Sequence, residues 1–264
     1  MTDQTAEQTV RYTLDNGAAH IVMTRPAQLN AMTPEMVTDL RTAVTRAREE
    51  GARVLLISAE GRAFCAGRDI AGAEPGSEDG GQVLAEIFYP LMQEVADLPF
   101  PTIAAVQGAC LGTGLGLALA CDVVLAADNA KFGSPFGKIG AVFDSGGHKV
   151  FVERLGTAVT FDLIYSGRFL SGTEAAAVGL VSRVVPADEL QTQATAYAAA
   201  LAAGPVLAFA ESKRIVRAVA DTATDLAGVL EMEAQAQSRA SKTKDYVEGF
   251  TAFIERRQPT FRGE

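Results

Sequence analysis

Twice in this 264-residue chain a short apolar run suited to a buried strand empties into a glycine-rich turn. Val54–Ser58 leads to Phe64-Cys65-Ala66-Gly67-Arg68-Asp69-Ile70, and Pro101–Val106 leads to Gly108-Ala109-Cys110-Leu111-Gly112-Thr113-Gly114-Leu115-Gly116. A strand that turns on glycine into a helix leaves unpaired N–H groups, with the positive end of the helix dipole behind them. The second turn has that helix in Gly114–Cys121 and a further strand in Val123–Ala126. Strand, turn, helix and strand therefore recur along the first two thirds, which predicts an α/β fold. Glycine also lets backbone approach a ligand closely, so the N–H groups of Arg68 and Thr113 can point at one developing oxyanion.

The flanking sequence fills in this frame. Val10–Leu14 and Ala18–Met23 enclose Asp15-Asn16-Gly17, a hairpin signal. Thr33 caps a helix that begins at Pro34 and carries Met36, Val37, Leu40 and Val44 at helical spacing. Gly72–Gly81 is a loop without apolar periodicity, and Val83–Leu98 is a helical stretch kinked at Pro90. From about Gly147 the pattern turns helical: Gly147–Leu155, Thr157–Tyr165, Thr173–Val178, Glu189–Ala203, Val206–Val219, Asp225–Ala240 and Asp245–Arg256, interrupted by one strand at Val181–Val185. We divide the chain into a core, residues 1–200, and a helical C-terminal region, residues 201–264, whose apolar faces predict an oligomer.

At 48% hydrophobic residues the chain can bury a full core, and its net charge of -9 argues against a nucleic-acid or anionic-membrane surface. Three cysteines without C-x-x-C spacing suggest reduced cytosolic thiols, and Met1-Thr2-Asp3-Gln4 does not read as a signal peptide. The apolar runs all fall short of the ~18 residues of a spanning helix. The expectation is a cytoplasmic protein with no metal and no separate cofactor.

One acid stands out, in Val142-Phe143-Asp144-Ser145-Gly146-Gly147. Facing the apolar side chains around it, which include Phe136 and Ile139, Asp144 would have a raised pKa and could take and return a proton. Alternatively it is the N-cap of the helix that follows, a place aspartate prefers. His148, four residues on, could pair with it on one helical face or be a structural histidine, and His20 falls in the hairpin. G-x-x-x-x-G-K-[ST] is absent, and Gly112-Thr113-Gly114 lacks the third glycine of a dinucleotide site.

Taken together, the segments resemble the crotonase, or enoyl-CoA hydratase/isomerase, superfamily over nearly the whole chain. The matching stretches are Arg25-Pro26-Ala27-Gln28-Leu29-Asn30-Ala31-Met32, Phe64–Ile70, Val106-Gln107-Gly108 through Asp122, Lys131-Phe132-Gly133, Gly146-Gly147, Ser166-Gly167-Arg168 and Gly179-Leu180-Val181. The resemblance implies a spiral of ββα units, C-terminal helices that build a trimer or dimer of trimers, and acyl-CoA substrates. Their thioester oxygen would sit between the N–H groups of Arg68 and Thr113. It also implies that the CoA portion lies along Arg25, Ala27, Leu29, Ala66, Asp69 and Ile70, with Phe253 and Arg256 as further contributors.

The chain departs from the hydratase pattern where two glutamates handle water: Gly116 and Phe136 stand at those positions. Adding water needs groups that hold it, whereas a 1,3-proton shift needs one base that returns what it took. Asp144 falls where dienoyl-CoA and epoxyphenylacetyl-CoA isomerases place their acid. The dehalogenase members of the superfamily orient theirs with a tryptophan, a residue this chain lacks. The expected function is an enoyl-CoA-type isomerase working through a thioester enolate. The alternatives are hydratase (lyase) activity without the glutamates, and acyl-CoA binding without catalysis.

Overall fold

The computed structural model describes residues 8–71, 78–222 and 224–264, so the N-terminal tetrapeptide and most of the 72–81 loop lie outside the described residues. Strands β1 (Val10–Asp15) and β2 (Ala18–Met23) form the expected antiparallel hairpin, with Asn16 and Gly17 both left-handed. Helix α1 (Pro34–Glu49) starts where predicted: the Thr33 hydroxyl accepts the Met36 N–H at 3.2 Å. It buries Met36, Val37, Leu40, Ala43, Val44 and Ala47.

Strand β3 (Val54–Ala59), buried at every residue, pairs in parallel with β2 and with β4 (Thr102–Val106). Between them the expected single helix is three pieces: α2 (Gly80–Val83), a π-helical turn (Leu84–Phe88) and α3 (Tyr89–Ala96). Pro90, which has no N–H to give the preceding turn, lies in the first turn of α3 and accounts for the irregularity. After β4 come β5 (Ala109–Leu111), α4 (Thr113–Ala120), β6 (Val123–Ala127), β7 (Lys131–Gly133) and a 3₁₀ turn (Pro135–Ile139). Helix α5 (Gly147–Ser166) breaks at Gly156, as the two predicted segments require. Then follow β8 (Leu170–Ser171), α6 (Gly172–Ala177), β9 (Arg183–Val185), α7 (Leu190–Ala202), α8 (Val206–Asp221), α9 (Leu226–Ala240) and α10 (Lys244–Glu255).

The main sheet has the order β1-β2-β3-β4-β6-β9 and is parallel apart from the hairpin. A second sheet, β5-β7-β8, corrects the sequence reading, which places Ala109–Leu111 inside a turn and gives the helical third one strand. Strands this short carry no periodicity of their own, and their pairing partners are far away in sequence. One face of the main sheet packs on α7 through Leu190, Ala194, Ala198 and Ala202, four residues apart on one helical stripe. The other face holds Leu55, Ile57, Ala104, Val106 and Ala126 in a core shared with α1, α3 and α4. Helix α4 is buried from Thr113 to Leu119, so the second glycine turn is anchored in that core.

The boundary at residues 200 and 201 falls in the last turn of α7. Past it, α8 is tied to the sheet by Asp122, which accepts from Lys213 Nζ at 2.8 Å and Arg217 Nη2 at 2.9 Å.

Candidate active site

Two backbone bridges create the donor pair. The Met32 N–H donates to Gly67 O at 2.8 Å and the Asp69 N–H to Met32 O at 2.9 Å. In a parallel bridge those bonds use the residues on either side of Arg68, so Arg68's own N–H faces the opposite way. A second bridge joins the turns: the Cys65 N–H donates to Ala109 O, and the Leu111 N–H to Cys65 O, both at 2.9 Å. The Thr113 N–H opens α4, where no earlier turn supplies an acceptor. Among the described residues neither the Arg68 nor the Thr113 N–H has a hydrogen-bond partner. Gly67 (φ 106°) and Gly112 (φ 51°) are required here, because a Cβ on Gly67 would come 3.2 Å from Leu111 O and one on Gly112 3.0 Å from Phe136 Cζ.

Asp144 is half-buried, and burial raises its pKa; the Ser145 hydroxyl and the charge of His148 act in the opposite direction. It is not a cap. The N-cap of α5 is Gly146, with no side-chain cap bond, and the Asp144 carboxylate instead accepts the Ser145 hydroxyl at 2.7 Å. Nor do Asp144 and His148 share a helical face, since Asp144 precedes the helix. His148 is exposed, edge-on to the Phe143 ring at 5.2 Å. The apolar lining is uneven: Phe143 is buried against Phe151, whereas Val142 is 76% exposed. His20 is a satisfied sheet residue, with Nε2 2.7 Å from Ser58 Oγ.

Gly116, where the resemblance places the first hydratase glutamate, is closed off by Ser145. A Cβ on Gly116 would meet Ser145 Cβ at 2.5 Å and Ser145 O at 2.6 Å. At the second, the Phe136 ring lies against Gly112, beside the Thr113 donor. Thiol chemistry is disfavoured as well: Cys65 and Cys121 are buried with pKa pushed up to about 12, and burial raises Cys110 far above the ordinary value.

The residues expected along the CoA portion divide into two groups. Arg25 is fixed by its backbone N–H to Asn30 Oδ1 at 2.9 Å and by its guanidinium to Asp69 Oδ2 at 3.0 Å, and the Ala66 N–H donates to Leu29 O at 3.0 Å. Ala27 and Ile70 are exposed at the edge of this cluster. The single chain does not bring Phe253 and Arg256 to it. Phe253, 83% exposed, instead lines a cavity of about 450 Å³ with Leu207, Ala208, Tyr246, Phe250 and Phe261. Sequence reasoning missed three supporting residues: Ser145, Asn30, whose amide also donates to Glu60 O and Ala63 O, and Glu78, which pairs with the Arg68 guanidinium. Asn30 is visible as part of its motif, whereas the other two roles depend on turn geometry.

Comparison with known proteins agrees over nearly the full length. Residues 13–264 match the family described as enoyl-CoA hydratase/isomerase. A probable enoyl-CoA hydratase of Rhodobacter capsulatus is 37% identical over 97% of this chain and 98% of its own. The 1,2-epoxyphenylacetyl-CoA isomerase of Escherichia coli is 32% identical over 95% of this chain and 97% of its own. The crystal structure of an enoyl-CoA hydratase from Bacillus anthracis superposes with a TM-score of 0.89 at 32% identity, covering 97% of this chain and 100% of that one.

Proposed function

The chain belongs to the enoyl-CoA hydratase/isomerase family, and on that premise we propose that it is an acyl-CoA isomerase that moves a proton through a thioester enolate. The observation that carries the reading is the half-buried Asp144 carboxylate, whose pKa burial raises, in a chain whose two turn N–H groups have no acceptor among the described residues. Asp144 takes a proton from the unsaturated acyl chain, the negative charge moves onto the thioester oxygen, and the Arg68 and Thr113 N–H groups stabilise it there. Donors of this kind are worth about 3–4 kcal/mol each. Asp144 then returns the proton at another carbon. The CoA portion lies along Arg25, Ala27, Leu29, Ala66, Asp69 and Ile70, and another copy in a trimer or dimer of trimers supplies Phe253 of α10 and Arg256, which caps that helix.

Hydration is the second reading, favoured by the names of several relatives. Against it stand Gly116 and Phe136, which leave no carboxylate pair to hold and split water. Incubation of the protein with enoyl-CoA thioesters in deuterated water separates the readings. Isomerisation gives a shifted double bond with deuterium uptake that falls about 10²–10⁴-fold in Asp144→Ala. Rapid formation of 3-hydroxyacyl-CoA instead establishes hydration and ends the isomerase reading.

A further inference from the structure

Ser145 links the two features that set this site apart, its lone base and its missing glutamate. Its backbone is left-handed (φ 58°), a conformation that residues with a Cβ seldom take, yet it is only 6% exposed. Its hydroxyl donates to Asp144 Oδ1 at 2.7 Å and is the carboxylate's one side-chain donor among the described residues. On the other side, Ser145 Cβ and O stand 2.5 Å and 2.6 Å from where a Cβ on Gly116 would be. The residue is thus pinned between α4 and the carboxylate.

From this arrangement, and resting on the function proposed above, we infer that Ser145 is the positioning residue of the site. Its hydroxyl clamps Oδ1 so that Oδ2 is the atom left to carry the proton, and its Cβ and carbonyl close the space over Gly116 to a second carboxylate. A hydrogen bond to the ionised form also favours that form, so the clamp offsets part of what burial does to Asp144. His148 is the other titratable group acting on Asp144, and its positive charge works in the same direction as the clamp.

The test is a carboxyl-carbon NMR titration of protein labelled at aspartate, with the Asp144 signal assigned by its loss in Asp144→Asn. Ser145→Gly removes the hydroxyl while keeping the left-handed backbone accessible, and Ser145→Ala is the second variant. In both, the Asp144 midpoint moves to higher pH than in the unsubstituted protein, with or without His148→Gln in the background. The acid limb of kcat/KM for deuterium exchange moves with it. Exchange falls about tenfold on the acid side, the size expected for a lost bond to a charged group, and by a smaller factor at pH 8, where only the loss of orientation remains. An unmoved midpoint in folded Ser145→Gly overturns the clamp, as does exchange equal to that of the unsubstituted protein at every pH. If the midpoint moves while Asp144→Ala still exchanges deuterium, the clamp stands and the assignment of Asp144 as base fails.

Discussion

A carboxylate withdrawn from water is a poorer anion and a better base, and Asp144 carries both consequences. Burial raises its pKa in the folded chain, so the native state holds this proton more tightly than the unfolded state does. The stability tied to the group is therefore full below the ordinary carboxylate range and is lost as pH rises through the interval up to the folded value. At neutral pH the ionised side chain weighs against folding. Asp144→Asn, whose amide oxygen can still accept the Ser145 hydroxyl, removes that weight. Calorimetry across pH should show a higher Tm than the unsubstituted protein at pH 7, with the gain vanishing in acid. The same variant should lose deuterium exchange by about 10²–10⁴-fold. A Tm gain that persists unchanged in acid would show that burial of charge is not its source. On the function proposed above, stability and activity are opposed at this residue, as expected where a group is kept for its chemistry.

At the scale of elements, α4 and the Asp144 turn are packed backbone to backbone, and Gly116 is where they touch. In an ordinary helix interior Gly→Ala gains up to about 1 kcal/mol of helix propensity. Here the new methyl would overlap Ser145 Cβ and O, and overpacking of a tight contact costs about 1–3 kcal/mol, so Gly116→Ala should be net destabilising. The turn must move to admit it, and misplacement by an ångström lowers turnover about 100-fold. Gly80→Ala, in α2 with nothing near its added methyl, is the matched control and should leave Tm and exchange unchanged or slightly raise Tm. Equal behaviour of the two variants would remove the steric argument. Elements with a local signal are legible in the sequence. Thr33 and Asp225 cap α1 and α9 through their side chains, and Asn16-Gly17 turns the hairpin, because caps and turns depend on a few adjacent residues. The donors Arg68 and Thr113 follow from glycine position in the same way. What the sequence does not disclose is set by distant partners: β5, β7 and β8 exist by pairing with one another, and Asp144 is freed from capping because Gly146 takes that place.

At the scale of the whole molecule, α9 and α10 present an apolar surface that one chain leaves uncovered. Leu226 is 72% exposed, Val247 61%, Phe253 83% and Ile254 76%, far more than the scattered apolar residues of a typical surface. A net charge of -9 does not hide this face, and the trimer or dimer of trimers proposed above would cover it. Ile254 tests the point because it is exposed in the single chain, where substitution should change folding by no more than about 0.5 kcal/mol. Light scattering should give the unsubstituted protein three or six times the 27.7 kDa of one chain, and Ile254→Glu a monomer with unchanged circular dichroism. In the proposed assembly each large side chain covered would contribute about 1.5–3 kcal/mol, and a glutamate buried there would add an unpaired charge, so one substitution should dissociate it. Because the proposed site takes Phe253 and Arg256 from another copy, the monomer should also bind acyl-CoA more weakly. Dissociation with undiminished acyl-CoA binding would keep the oligomer and remove α10 from the site, whereas a monomeric unsubstituted protein would remove both.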